Sequence, residues 1–404
     1  MSFAQFRLAM RRYLRLAWKT FFHEKDSPGR LTPKRFVLFL GLIPVLGGLQ
    51  LVHWVCFVLD ELLFPGYRKV EVNKPVFILG IPRSGTTLLQ RVIARDTERF
   101  TGYKLWECLL APAIIERYIC RFIARADRAI GAPGRKLMGV IDYRLFRDVR
   151  EIHPTSLFWD EEDEVLLYPT FSTAFLMYMF PFEEELRHLA FFDEQTPEDE
   201  QKLIMDFYKA CIQRHLYVSG PDKHYLAKNV MSSAKVEALR TTFPDARVIC
   251  NVRSPYRCIP SSLSLAAYIW KQCENAPWDD RAVETFVDIL HNLYKHPMKT
   301  LPTWPEHQYA VVLFDDLRRD LKGVVTRLYE HLGLEMGAGY PEVLEHEDAK
   351  SRQYKSSHRY TPDAYGLSPE KILERYRDVF EYYGFDTEHE EAPEPGGVGA
   401  GSQQ

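Results

Sequence analysis

An α/β fold, a P-loop-like parallel sheet flanked by helices with an N-terminal membrane-associated helical segment, is predicted by three observations. Short apolar, β-branched runs at 75–80 (PVFILG), 247–252 (RVICNV) and 309–314 (YAVVLF) are each followed by polar residues and helical patterning, the alternation of buried strands with crossover helices that marks a parallel sheet. The first run leads into Gly80-Ile-Pro-Arg-Ser-Gly85-Thr-Thr and then LLQRVIARD, a strand, glycine turn and helix start of the kind that aims backbone N–H groups at an anion. Upstream, residues 36–59 contain no Asp, Glu, Lys or Arg, and about twenty apolar residues suffice to cross a bilayer core.

In chain order, residues 1–35 read as a basic amphipathic helix. Nine Lys or Arg (7, 11, 12, 15, 19, 25, 30, 34, 35) stand against Glu24 and Asp26. Phe3, Phe6, Met10, Tyr13, Leu14, Ala17, Trp18 and Phe21 recur at helical spacing, with Arg7, Arg11, Arg15 and Lys19 on another face, so this helix either lies on an anionic membrane or docks on the protein with its basic face in solvent. Residues 36–64 form the hydrophobic membrane-associated segment. Pro44, Gly47 and Gly48 interrupt its middle, and Gln50 and His53 add polarity, so a kinked span, a re-entrant hairpin and a buried apolar hairpin all fit. The apolar run is too long, and begins too late, for a signal peptide. The folded domain occupies 65–386, with a helical insertion over 106–218. Residues 387–404 include EEAPEPGGVGAGSQQ, a composition that supports no core and reads as a disordered tail.

With 404 residues, 46% of them hydrophobic, the chain has material for one large core or two modest ones. Its net charge of -3 supplies no global basic excess, which argues against nucleic acid as a partner. Seven scattered cysteines without a CxxC pair argue against a disulfide framework or structural zinc and fit a reducing compartment.

The loop itself narrows the chemistry. Its GxxxxG spacing matches a phosphate-binding loop, but Thr86 follows where a nucleoside triphosphatase carries Lys, and the cation sits inside the loop as Arg83. That disfavours a P-loop kinase or nucleoside triphosphatase. One internal cation with hydroxyl and backbone donors suits a less charged group that needs no metal clamp. The string PRSGTT after a buried strand resembles the donor loop of the PAPS-dependent sulfotransferase superfamily, in the form shared with tyrosylprotein sulfotransferases. The resemblance spans roughly 75–386 and implies 3'-phosphoadenosine-5'-phosphosulfate as co-substrate, no metal, and transfer of a sulfonate to an acceptor hydroxyl or amine. By position it implies that Arg83, Ser84, Gly85, Thr86 and Thr87 contact the 5'-phosphosulfate.

A second signature, Arg253-Ser-Pro-Tyr-Arg-Cys-Ile-Pro-Ser261, follows RVICNV. An Arg fork with a hydroxyl at a helix start fits a dianionic phosphate, and Arg253 and Ser261 match the family's 3'-phosphate motif. Lys228 in YLAKNV matches the lysine that contacts the leaving and transferred oxygens. Cytosolic sulfotransferases carry a His base two residues later, but Val230 stands there. Tyrosylprotein sulfotransferases use a Glu downstream of the loop, which Glu107 in YKLWECLLAP matches in approximate position; His153 in REIHPTSLFWDEEDE is the rival base. The acidic run 160–164 reads as a helix start or solvated face, with ordering of the acceptor as the alternative, and lacks the converging histidines of a metal site. Lys355 and Arg359, in SRQYK and HRY, match the family's closing segment and are candidates for the donor's phosphates.

A non-catalytic membrane adaptor of the same fold is the remaining alternative; it has no need of a leaving-group cation. The acceptor is left open, with the membrane segment favouring a lipid or membrane-linked one. The basic N-terminus favours a cytoplasmic start, so a single span would put the domain in a lumen. A turn at Pro44 and Gly47-Gly48 would keep both flanks, and the catalytic domain, on the cytoplasmic side, and this is the preferred expectation.

Overall fold

The computed structural model describes residues 2–22, 28–150, 155–353 and 367–388. Five strands form one parallel sheet in the order β2-β3-β1-β4-β5: β1 Val76–Gly80, β2 Phe100–Thr101, β3 His224–Lys228, β4 Arg247–Val252 and β5 Tyr309–Leu313. The three strands expected from sequence are present to within a residue at each end. Strand β3 escaped notice because HYLAK has only three apolar residues between His224 and Lys228, too few to show a period. Every residue of β1 and β4 is buried, which is why both read as continuous apolar runs. Gly80 has φ +133°, and a Cβ there would lie 2.0 Å from the Asn251 carbonyl oxygen on β4; glycine alone allows the two strands to end side by side.

Two N-terminal helices, α1 Phe3–Phe22 and α2 Pro33–Leu63, share one hydrophobic core with the sheet through Leu8, Ala9, Leu16, Phe39, Ile43, Trp54 and Phe57, which join Phe77 and Leu79. Helix α1 docks on the body by its apolar side, while Arg7, Arg11 and Arg15 of its basic face stay exposed and Lys19 is half-buried. Arg12 is buried against Ser172 and Glu200, Arg15 meets Glu185 at 2.8 Å and Lys19 meets it at 2.9 Å. Glu184, Glu185 and Glu200 supply counter-charges that the sequence offered no way to place beside this helix. The outer face of α1 carries Phe3, Leu14, Trp18 and Phe22, all exposed.

The expected re-entrant turn is absent: α2 is one helix that runs through Pro44, Gly47 and Gly48. The reason lies in α1. A Cβ on Gly47 would sit 2.4 Å from the Tyr13 hydroxyl, and that hydroxyl donates to the Ile43 carbonyl at 3.1 Å, so the small residue marks a helix crossing rather than a break. Both ends of α2 are tied to the globular body. Arg35 donates to the Cys273 and Met179 carbonyls at 2.9 and 3.1 Å, while Asp60 pairs with Arg214 at 2.9 Å. Buried Phe39, Ile43, Gln50, His53 and Phe57 line the side between these ties, and Val37, Leu40, Val45, Leu51, Val55 and Leu62 are exposed along the helix.

Helix α3, Thr86–Ile93, follows the loop after β1. The insertion is mostly helical, as expected, and includes α4 Leu105–Leu110, α5 Ile114–Ala129 and α6 Pro133–Arg150, followed by a 3-10 turn at Asp163–Thr170. His153, Lys355, Arg359 and most of the expected tail lie outside the described residues.

Candidate active site

Arg83, Lys228 and Arg253 issue from the carboxyl ends of three adjacent strands. Register fixes this: Ile78 of β1 pairs with Lys228 of β3, and Gly80 pairs with Asn251 of β4. Since β3 and β4 flank β1 on opposite sides, the loop after β1 opens at the topological switch point, where open parallel sheets bind ligands.

The loop is tightly formed. Gly85, with φ +88°, caps α3, and a Cβ on it would lie 2.7 Å from the Phe314 ring. Arg83 itself adopts φ +70°, an unfavourable conformation for a non-glycine residue that is characteristic of functional loops. Ser84 is fully buried and donates to the Ile81 carbonyl at 2.7 Å. Thr86 and Thr87 form the first turn of α3, the place where free N–H groups collect.

Loop and second signature meet. Arg83 Nε donates to Ser261 Oγ at 3.0 Å, and Arg253 Nη1 donates to the Arg83 carbonyl at 3.1 Å. The Arg253 guanidinium lies 4.2 Å from the centroid of the Phe314 ring, within reach of cation–π attraction. Ser261 sits in the helix Pro255–Gln272, which starts three residues after β4. Two residues before Arg253, Asn251 is fully buried, with both polar side-chain atoms unpartnered among the described residues, a polar demand left open at the strand ends.

Lys228 is fully buried and meets two carboxylates, Glu162 at 3.0 Å and Glu161 at 3.4 Å. Burial alone would pull the ammonium pKa down, but the charges of Glu162 and Glu161 outweigh it and the net shift is upward, so the cation is kept. The acidic run expected at a solvated face is therefore part of the site, which corrects that expectation. Its neighbours hold it in place: Asp163 accepts from Tyr225 at 2.7 Å and from Tyr208, and Glu164 takes Lys235 at 2.7 Å and Asn229 at 2.8 Å. Burial pushes Asp160 and Asp163 up to about 6. Glu161 also faces Arg91 of α3 at 3.8 Å. Glu162 makes the shorter contact with Lys228, and its Oε2 is buried without a hydrogen bond among the described residues. The sequence did carry a signal for this cluster: five consecutive acids bounded by Trp159 and Val165 need cations if any of them is buried.

Glu107 follows Lys104, which forms a β-bridge with Asp160 at the head of the acidic run, and its charge adds to the upward push on Asp160. It is half-buried in the first turn of α4 and accepts the Lys104 backbone N–H at 2.9 Å, capping its own helix. Beside the loop lies a small apolar cavity lined by Pro82, Tyr178, Val230, Met231, Ser262 and Leu290. Burial, and then the charge of Glu162, push the Tyr178 phenol up. A larger concavity, ≈ 890 Å³, lies against β5, between Val311, Asp316, Arg327 and Tyr383, and none of Arg83, Lys228, Arg253 or Ser261 lines it.

The chain is similar to known proteins in sequence and in fold. A profile described as the sulfotransferase family matches residues 75–338. The chain is 27% identical over 364 residues to the omega-hydroxy-beta-dihydromenaquinone-9 sulfotransferase Stf3 of Mycobacterium bovis, covering 84% of this chain and 82% of that protein. The Stf3 of Mycobacterium tuberculosis matches to the same extent. Among solved structures, sulfotransferase STF9 of Mycobacterium avium superposes with a TM-score of 0.68 at 17% identity, over 92% of this chain and 96% of the other. Sulfotransferase STF1 of Mycobacterium tuberculosis gives 0.64 at 18% identity, over 91% and 92%, so the fold is shared throughout.

Proposed function

The chain belongs to the sulfotransferase family, and from that premise we propose that it moves a sulfonate from 3'-phosphoadenosine-5'-phosphosulfate to the hydroxyl of a membrane lipid. The observation that carries this reading is the convergence of Arg83, Lys228 and the Arg253–Ser261 pair at the carboxyl ends of β1, β3 and β4. Arg83 and the α3 N-terminus would hold the 5'-phosphosulfate, and Arg253 with Ser261 the 3'-phosphate. Lys355 and Arg359 are proposed as further phosphate contacts. The donor supplies an activated sulfonate, and the protein's own work is to align it, neutralise charge and move one proton.

Lys228, buried and charged, stabilises the negative charge that builds on the leaving and transferred oxygens. Glu162, paired with Lys228 and with one oxygen unengaged among the described residues, takes the acceptor's hydroxyl proton as the new O–S bond forms. This assigns to Glu162 the base role expected of Glu107, whose carboxylate caps α4, or of His153. The apolar cavity beside the loop suits an acceptor with a hydrocarbon body. A lipid acceptor is further supported by the relative that acts on a dihydromenaquinone.

The same reading places the protein on a membrane surface without crossing it. Helix α2 is packed on the globular body from Arg35 to Asp60, so the body would have to enter the bilayer if the helix spanned it. Lying flat, α2 offers its exposed apolar side to the lipid, with the catalytic domain on the cytoplasmic side. Donor recognition is tested by calorimetry without added metal. Adenosine 3',5'-bisphosphate is expected to bind at least about a hundredfold more tightly than AMP, since a fixed Arg fork on a dianion is worth several kcal/mol. Equal affinity for the two nucleotides would remove the assignment of Arg253 and Ser261.

A further inference from the structure

The hairpin of α5 and α6 is held to the body at its base. At one end Asp60 accepts the Ile114 and Ile115 N–H groups at 2.9 and 3.0 Å, and Glu116 meets His53 at 2.6 Å. At the other end Asp142 accepts the Leu157 N–H at 2.8 Å and pairs with Arg150 at 2.6 Å. Between these anchors both helices present apolar side chains to solvent. On α5, Ile119, Phe122 and Ile123 are exposed, Phe122 by 71%, and Ile130 just past its end is exposed by 75%; on α6, Leu137, Val140 and Leu145 are exposed. Positions 119, 122, 123, 126 and 130 form one helical stripe, with Arg121, Arg125 and Arg128 on another.

The charge identifies the occupant. Across 118–147, Arg121, Arg125 and Arg128 of α5 and Arg135, Lys136, Arg144 and Arg147 of α6 stand against two acids, Asp127 and Asp142. Both acids are already engaged: Asp127 accepts the Gly134 and Arg135 N–H groups at 2.6 and 3.0 Å, and Asp142 is the anchor above. Two copies of so cationic a hairpin repel each other, whereas an anionic lipid surface attracts both its arginines and its apolar stripe. Helix α5 also packs directly on α2, so the exposed apolar residues of the two helices belong to neighbouring elements.

We propose that the α5–α6 hairpin is a second membrane-docking element that inserts its apolar stripe into an anionic bilayer surface beside α2. The inference extends the lipid-acceptor reading and is tested separately from it. Hydrogen exchange of the full chain is followed with phosphatidylcholine vesicles, with or without about one-third phosphatidylglycerol. Exchange across 118–130 should slow several-fold with the anionic vesicles and far less with the neutral ones. Phe122→Asp combined with Ile123→Asp, at two exposed positions, should abolish that slowing and weaken co-sedimentation roughly tenfold or more, with the melting temperature unchanged. Unaltered exchange, whether or not the vesicles bind elsewhere on the protein, overturns the proposal. So does slowing that follows protein concentration without vesicles, which would mark a contact between copies. Affinity for adenosine 3',5'-bisphosphate, measured on the same samples, reports on the sulfotransferase reading alone.

Discussion

Glu162→Gln is expected to lower kcat by about a hundredfold or more while leaving donor affinity near wild type, the usual cost of losing a general base. The amide keeps the shape of the side chain and still accepts a hydrogen bond from Lys228, 3.0 Å away, but it cannot take up a proton. Glu161→Gln should cost much less, because Glu161 is held by Lys228 and Arg91 and acts as a counter-ion. Glu107→Gln should cost least, since an amide oxygen can still accept the Lys104 N–H. Single-turnover rates for the three variants rank the carboxylates directly. Full activity in Glu162→Gln, with a collapse in Glu107→Gln or His153→Ala, would return the base role to those residues.

Lys228→Met should cut turnover by about a hundred- to a thousandfold, the loss that follows removal of one preorganised charged donor. It also carries a stability cost, which must be separated from the chemistry. Without the ammonium, buried Glu161 and half-buried Glu162 lose their nearest cation, and breaking a buried pair from one side typically costs about 3–5 kcal/mol. The combination Lys228→Met, Glu161→Gln, which keeps Glu162, should recover part of that stability in denaturant titrations while turnover stays lost. Turnover that recovers along with stability would show that Lys228 is only structural.

The parts of this site that the sequence revealed are those fixed locally. PRSGTT follows an all-buried strand and opens a helix, so glycine spacing, internal cation and helix start lie within one short stretch. Arg253 and Ser261 are likewise carried by one strand and the helix after it. The Glu161 and Glu162 contacts with Lys228 join positions more than sixty residues apart, and no local period reports such a meeting. The N-terminal helices are only partly legible for a related reason. Arg7, Arg11, Arg15 and Lys19 make an amphipathic pattern that suits a membrane as well as an acidic protein surface, and nothing in the sequence signals that Glu185 lies beside Arg15 and Lys19. Pro44 and Gly47-Gly48 look like a break until Tyr13 is seen filling the space that Gly47 leaves.

Sulfonate transfer itself is tested most directly with donor carrying a radioactive sulfonate, incubated with the full-length protein and a total lipid extract. Label should pass into a chloroform-soluble product, matched mole for mole by adenosine 3',5'-bisphosphate, and should fall at least about a hundredfold with Arg83→Ala. Label that stays in the donor, or that leaves it only as free sulfate, would contradict the account.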